Sequence, residues 1–192
     1  MSVNLAKGQR ISLAKKSGGA LTRVRMGLGW DAVKKRGLFR KRTQEIDLDA
    51  SCLVFSAQGK RTDQVWFKQL EGRNGAIVHT GDNLTGAGDG DDESIIVDLQ
   101  ALPADAHTLV FVVNSYSGQD FSQIENAYCR LVDEGTEQEV ARYELTGSGQ
   151  HTAQVMAKVT RDGAGWTMTA IGAIANGRTF KDLEPIARQH LG

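Results

Sequence analysis

The sequence predicts an all-β protein, a two-sheet antiparallel β-sandwich with a short C-terminal helix. Short apolar runs recur along the chain, Gly, Asp and Asn residues separate them, and a helical pattern is confined to the tail. The number and spacing of the runs favour two packed sheets in one domain over residues 1–192. We expect strands near 21–26, 46–55, 64–68, 94–99, 108–114, 126–133, 138–145, 151–160 and 165–174.

The strand over residues 46–55 carries acidic side chains on one of its faces. The sequence IDLDASCLVF alternates with a period of two, which places Asp47, Asp49 and Ser51 on one face. Asp47 and Asp49 are then separated by two strand rises, about 7 Å, a gap that bound ions can bridge. The alternative is an exposed strand face without a ligand.

Turn and helix signals complete the predicted architecture. RDGAGW at residues 161–166 predicts a tight hairpin, since Asp162 and Gly163 tolerate positive φ. In the tail, Asp182 is the expected helix cap and Pro185 is expected in the first turn, where its missing N–H costs nothing. The apolar stripe of this helix consists of Leu183, Ile186, Ala187, His190 and Leu191.

A glycine-rich acidic segment is the most informative feature for function. Residues 81–94 read GDNLTGAGDGDDES and contain no Lys or Arg. Crowded carboxylates raise each other's proton affinity, and a divalent cation removes that cost. Calcium fits best because it accepts many oxygen ligands, including backbone carbonyls, in irregular geometry. A solvated acidic turn is the simpler alternative.

The overall formal charge of zero conceals an uneven distribution. Residues 74–129 contain nine acidic residues and no Lys or Arg, whereas residues 1–73 contain sixteen Lys or Arg against six Asp or Glu. Bound metal would restore part of the neutrality if the acidic residues converge. An EF-hand is excluded, because the stretch that starts at Asp47 has Cys52 and Gln58 where that loop needs Gly and Glu.

The chain contains, in this order, the segments GLGWD (27–31), DLDAS (47–51), HTGDNLTGAGDGDDE (79–93), LVFVVN (109–114) and FSQIENAYCRL (121–131). Together these segments closely resemble the TerD family of bacterial tellurium-resistance and stress proteins. The resemblance covers nearly the whole chain. It implies a calcium-binding β-sandwich with two neighbouring calcium sites at one end, and a role in tellurite resistance or general stress response. The ligands that it implies are Asp47, Asp49, Asp82, Asn83, Asp89, Asp91, Asp92 and Glu93, with the carbonyls of Leu84 and Gly88 as further candidates.

A basic segment interrupts the resemblance between GLGWD and DLDAS. The apolar residues Leu38 and Phe39 lie within a cluster of six cations. Such a cluster is typical of a solvated hairpin loop, of a contact with an anionic membrane, or of a contact with a protein partner. Nucleic acid is the less favoured anionic partner. The six cations are Lys34, Lys35, Arg36, Arg40, Lys41 and Arg42.

The sequence favours a calcium-dependent binding module over an enzyme. It contains no G-x-S-x-G elbow, P-loop or paired metal histidines, and no nucleophile or substrate-orienting Arg occurs in the acidic segment. His79, beside that segment, is expected to support the site structurally, with metal ligation as the alternative. A metal-dependent hydrolase that uses the same carboxylates with two ions is the alternative. The expected partners are other stress-response proteins.

The N-terminus lacks the apolar core of a secretory signal, and no apolar run approaches about 18 residues. We therefore expect a cytoplasmic protein that also contacts the inner face of the membrane peripherally. Cys52 and Cys129 lie in apolar, strand-like contexts and are expected to be buried free thiols.

Overall fold

The structure, a computed structural model, describes residues 3–14, 18–31, 33–36, 41–44, 47–84, 90–145, 149–163 and 165–192, with only the backbone described for 33–36 and 41–44. Two six-stranded sheets form the body of the described part, which confirms the predicted β-sandwich. The first sheet contains, in spatial order, β1 (Val3–Asn4), β12 (Gln138–Glu144), β11 (Glu125–Asp133), β3 (Arg23–Asp31), β9 (Glu93–Asp98) and β8 (Ile77–His79).

The second sheet is built around the most apolar strands of the chain. Its strands, in spatial order, are β2 (Arg10–Ser12), β14 (Gly165–Ala175), β13 (Ala153–Asp162), β10 (Thr108–Ser115), β6 (Leu48–Phe55) and β7 (Arg61–Val65). Every residue of β6 and β10 is buried. Because both faces of these central strands are covered, their sequences read as nearly continuous apolar runs.

Strand pairing is antiparallel with one exception among the described strands. β1 pairs in parallel with β12, so the first sheet is mixed at that edge. A separate two-stranded ribbon is formed by β4 (Val33–Arg36) and β5 (Lys41–Gln44). The described backbone of the basic segment therefore forms an antiparallel pair of strands, and residues 37–40, including Arg40, lie outside the described residues.

Two apolar clusters hold the layers together. The larger lies between the sheets, where Leu48, Ala50 and Cys52 of β6 pack against the inner face of the first sheet. The smaller covers the outer face of the second sheet, where Leu53 and Phe55 pack beneath the C-terminal helix. The two sets alternate along β6, as the period of two predicts. The clusters bury both cysteines as free thiols, as expected.

The C-terminal helix α1 (Phe180–Arg188) begins earlier than the sequence predicts. Thr179 occupies the cap position, and Asp182 lies one turn inside. The Asp182 carboxylate accepts hydrogen bonds from the backbone N–H groups of Arg178 (2.9 Å) and Thr179 (3.1 Å). The predictions of Asp182 as the cap and Pro185 in the first turn were wrong. Phe180 starts the helix because burial of its ring holds the first turn on the sheet.

The predicted hairpin between β13 and β14 is confirmed. Asp162 pairs with Gly165, and Gly163 has a φ of 57°, the left-handed conformation that glycine adopts without a steric penalty. The strands that the sequence did not predict, including β1, β2 and β8, are two to four residues long. Such segments are too short to show a period of two in their sequence.

Candidate metal centre

Three carboxylates converge at one end of the second sheet. Asp47 directly precedes β6, Asp49 lies within it, and Asp82 follows β8 in the segment that leads to β9. One oxygen of each lies within 4.8 Å of the others. Asp49 is 2% exposed, so it does not lie on the open strand face that was the alternative prediction. The set resembles the oxygen cage that a hard cation requires.

The convergence is electrostatically costly without a cation. Burial, followed by repulsion from Glu93, Asp47 and Asp82, raises the pKa of Asp49 to about 8. Burial and the charges of Asp82 and Glu93 raise the pKa of Asp47 to about 6. At neutral pH the group therefore holds a proton or requires a positive charge nearby.

The atoms of this centre that could bind a metal are oxygen atoms, and they can accept further contacts. Asn114, opposite Asp49 in the ladder between β10 and β6, donates from Nδ2 to Asp49 Oδ2 at 2.8 Å. The same Nδ2 donates to the Arg178 carbonyl at 2.7 Å, which fixes the amide. Asp47 Oδ1 is buried without a hydrogen-bond partner among the described residues. A divalent cation bound here would supply the contact that this oxygen lacks.

Glu93, the first residue of β9, connects the two sheets beside this centre. Its side chain is fully buried. Oε2 accepts a hydrogen bond from the Ala50 N–H at 2.8 Å, and Oε1 accepts one from the Asn83 N–H at 3.2 Å. These bonds hold β6 and the acidic segment in place. Glu93 therefore positions its neighbours through these hydrogen bonds, in addition to contributing a negative charge.

His79 packs directly against Glu93. Its Nδ1 accepts a hydrogen bond from the Gly81 N–H at 3.1 Å, so the ring proton resides on Nε2. Nε2 lies 3.4 Å from Glu93 Oε2, and both side chains are fully buried. The contact is not aligned as a hydrogen bond, and Nε2 has no hydrogen-bond partner among the described residues.

Asp92 and Asn83 form a second polar group close to the first. Asn83 Nδ2 donates to Asp92 Oδ1 at 2.9 Å, and the Trp30 N–H donates to Asp92 Oδ2 at 2.9 Å. Burial raises the pKa of Asp92, and the hydrogen bond from Trp30 opposes this shift. The end of β3 is thus attached to the acidic segment.

Asp91 lies among arginines, outside the group of Asp47, Asp49 and Asp82. Arg130 Nε donates to Asp91 Oδ1 at 2.7 Å, and Arg25 Nε lies 3.9 Å from Oδ2. The acidic segment contains no cation of its own, but neighbouring strands of the first sheet supply two. Part of its charge is therefore neutralised within the fold.

The remaining predicted ligands lie at the margin of the described chain. Leu84 is 58% exposed at the last described position before the gap. Gly88 and Asp89 fall in residues 85–89, outside the described residues. The acidic residues beyond this segment have separate roles. Asp105, for example, pairs with Arg73 at 3.4 Å.

The glycines of GLGWD permit close packing over β3. A Cβ atom on Gly27 would overlap the Asp91 carboxylate, and one on Gly29 would lie 2.5 Å from Cζ of Tyr128. The Tyr128 hydroxyl donates to the Gly90 carbonyl at 2.8 Å. The motif therefore brings side chains of the first sheet against the acidic segment.

We expect Gly29→Ala to destabilise the protein by about 1–3 kcal/mol, the usual cost of overpacking. The Tyr128 ring must move, and its bond to the Gly90 carbonyl is lost with it. Gly165→Ala is the matched control, since its added Cβ would meet nothing closer than the Asp162 carbonyl at 4.0 Å. Urea denaturation measures both variants, and equal midpoints would contradict this packing role.

A comparison with known protein families identifies the family of this chain. The family model described as the TerD domain matches residues 1–190. The chain belongs to the TerD family. Tellurium resistance protein TerZ of Serratia marcescens is 49% identical over 184 residues, covering 94% of each chain. Stress response protein SCP2 of Bacillus subtilis is 40% identical, covering 95% of this chain and 98% of its own.

A solved structure shares the architecture. A homologue of telluride resistance protein (TerD) from Streptomyces coelicolor superimposes with a TM-score of 0.70 at 19% identity, over 90% of this chain and 99% of its own. The relatives found by sequence carry names of tellurium resistance or stress response.

The helix α1 is nine residues long, and the described part of the chain contains no helix that is long and apolar enough to cross a bilayer.

Proposed function

We propose that this TerD protein binds calcium and acts in tellurite resistance or the general stress response by calcium-dependent association with a partner. The convergence of Asp47, Asp49 and Asp82, one of them buried, is the observation that carries the proposal. The names of its relatives support the physiological setting.

Calcium suits this centre better than magnesium. All donors are oxygen atoms, and they come from a rigid strand and from a glycine-rich segment that can adapt to a large ion. Magnesium demands a strict octahedron with short bonds and gives up its water reluctantly. Asp47, Asp49 and Asp82 would hold the first ion, with Asp47 Oδ1 free to coordinate it.

A second calcium ion is proposed beside the first. Asn83 donates to Glu93 through its backbone N–H and to Asp92 through its side chain, so Asp92 and Asn83 lie close to the first group and offer further oxygen atoms. Asp89, Gly88 and the Leu84 carbonyl belong to the same segment and complete the proposed ligands. Asp91 is the weakest member of the proposed set, because Arg130 already neutralises it.

A binding role is favoured over hydrolysis at the same carboxylates. A metal-dependent hydrolase needs a group that is free to accept or donate a proton near the ions. His79 is 2% exposed, and its two ring nitrogens face the Gly81 N–H and the Glu93 carboxylate. This arrangement supports a structural role for the imidazole and a protein without catalytic activity.

Calcium titration by isothermal calorimetry in excess magnesium tests the proposal. We expect calcium to bind with measurable heat and a stoichiometry of two, because magnesium cannot fill the large, irregular site. A titration of magnesium into the metal-free protein serves as the control. If calcium gives no heat of binding in the presence of excess magnesium, the proposal of a calcium site is wrong.

We also propose that the basic hairpin contacts an anionic membrane. Its described backbone forms the separate ribbon β4–β5, which is hydrogen-bonded to neither six-stranded sheet and supports a role apart from the sandwich. Six cations could contribute several kcal/mol, at about 1 kcal/mol each near an anionic surface. Calcium would assist by neutralising the acidic segment, which otherwise repels the same surface.

Cosedimentation with anionic vesicles tests this contact. We expect wild type to pellet more strongly with calcium than with chelator, and salt to weaken the interaction. A variant with Ser at all six basic positions should remain in the supernatant. Equal pelleting of the two proteins would leave the hairpin as a solvated loop.

A further inference from the structure

A polar recess interrupts the outer face of the second sheet at the end opposite the metal centre. Its volume is about 280 Å³. Three neighbouring strands form its floor, because Lys158 of β13 pairs with Thr169 of β14, which pairs with Arg10 of β2. Thr160 and Thr167 form the next row. Side chains paired in this way stand next to one another on one face of a sheet.

Two cationic side chains line the recess. Its lining includes the side chains of Arg10 and Lys158, against the carboxylate of Asp162, whereas the Arg161 guanidinium donates to the Ala106 and Pro103 carbonyls and lies over the Trp166 ring. None of these cations forms an ion pair with a carboxylate side chain of the described residues. Gly192 also lines the recess, where its backbone oxygen accepts a hydrogen bond from Lys158 Nζ. An anion is the complementary ligand.

Lys158 is the unusual member of this lining. It is only 8% exposed, and lysine is almost never buried unless it is paired. Its Nζ donates to the backbone oxygens of His190 at 2.6 Å and Gly192 at 3.3 Å. Burial, followed by repulsion from Arg10, lowers the pKa of Lys158. A bound anion would offset both effects.

Threonine hydroxyl groups supply neutral donors beside the cations. Thr160, Thr167 and Thr169 all line the recess. Thr160 Oγ1 is buried and has no hydrogen-bond partner within the described part of the chain. Hydroxyl and cationic donors that converge on one recess match the several acceptor oxygens of a phosphate group.

We propose that this recess is a binding site for a phosphate group, carried by a small soluble compound or by a lipid headgroup. Arg10 and Lys158 provide its charge, and Thr160 and Thr169 provide hydroxyl donors. The site is independent of the calcium proposal. In β10, Thr108 pairs with Thr160 and Asn114 pairs with Asp49, which separates the two sites by about 20 Å along the strand.

Calorimetric titration of the metal-free full chain with inorganic phosphate tests the site, in buffers whose ionic strength is matched with chloride. We expect Arg10→Gln to weaken phosphate binding about tenfold, the usual effect of one charge-assisted hydrogen bond. Thr160→Val keeps every charge and should weaken it about threefold. Arg23→Gln, which removes an exposed cation of the first sheet, should bind like wild type.

Phosphate binding no stronger than chloride binding would overturn the proposal, and so would equal affinities of Arg10→Gln and Arg23→Gln. Melting curves of the variants confirm that Arg10→Gln remains folded, as its exposed position predicts. Vesicles with and without phosphatidic acid then identify the source of the phosphate. Weaker pelleting of Arg10→Gln than of Arg23→Gln indicates a headgroup, and equal pelleting indicates a soluble compound.

Discussion

Asp49→Asn is expected to abolish the stabilisation of the protein by calcium. At a calcium concentration 100 times the dissociation constant, binding stabilises a folded protein by about 2.7 kcal/mol. Asp49 is the buried carboxylate of the centre, and an amide retains its shape without its charge. The melting temperature of the variant should therefore stay constant across a calcium series in which that of wild type rises.

Without calcium, Asp49→Asn is expected to make the folded protein more stable than wild type. Burial and three neighbouring acids raise the pKa of Asp49 to about 8, so the carboxylate destabilises the metal-free fold whenever it ionises. Removing the charge should then increase stability. Asp105→Asn is the matched control, because Asp105 is exposed and its partner Arg73 lies away from the centre. If Asp49→Asn follows wild type in the calcium series, Asp49 is not a ligand.

The stability of the metal-free protein is expected to fall as pH rises from about 4 to about 8. Asp47 and Asp49 have folded pKa values of about 6 and about 8, above their ordinary value of 3.8. Across this window the folded state binds more protons than the unfolded state, so raising the pH favours unfolding. Below pH 4 both states are protonated at these groups, and their contribution is constant.

Urea denaturation in chelator at several pH values measures this dependence. The Asp49→Asn variant should show a shallower decline, since it lacks the group with the larger shift. Saturating calcium should flatten the decline in wild type, because the ion replaces the protons on the same oxygens. A metal-free stability that rises between pH 4 and pH 8, in parallel for wild type and variant, would contradict the electrostatic picture.

The strands were predictable where burial imposes a long pattern. β6, β10, β13 and β14 lie within or beside their predicted ranges because each buries at least one continuous face. The edge strands β1, β2 and β8 were not predictable, since two or three residues show no period. The start of α1 was misplaced because Phe180 is held by the sheet, a tertiary contact that local capping signals do not reveal.

Residues of the candidate site were predictable from composition, but their surroundings were not. Asp82 stood out in a segment without Lys or Arg, and Asp47 and Asp49 stood out because the period of two in residues 46–55 places them on one strand face. Arg25 and Arg130 were missed because they reach Asp91 across the sheet from distant parts of the chain. Asn114 carried a usable signal: an amide at the end of an apolar strand needs a buried partner, and here Asp49 is that partner.

The most direct test is a crystal structure of the calcium-loaded protein. We predict a calcium ion bound by Asp47, Asp49 and Asp82 at about 2.3–2.6 Å, with Asp47 Oδ1 among its ligands. The second ion should lie on the side of Asp92 and Asn83. Calcium density elsewhere on the protein, with the Asp47 and Asp49 carboxylates making no metal contact, would contradict the proposed centre.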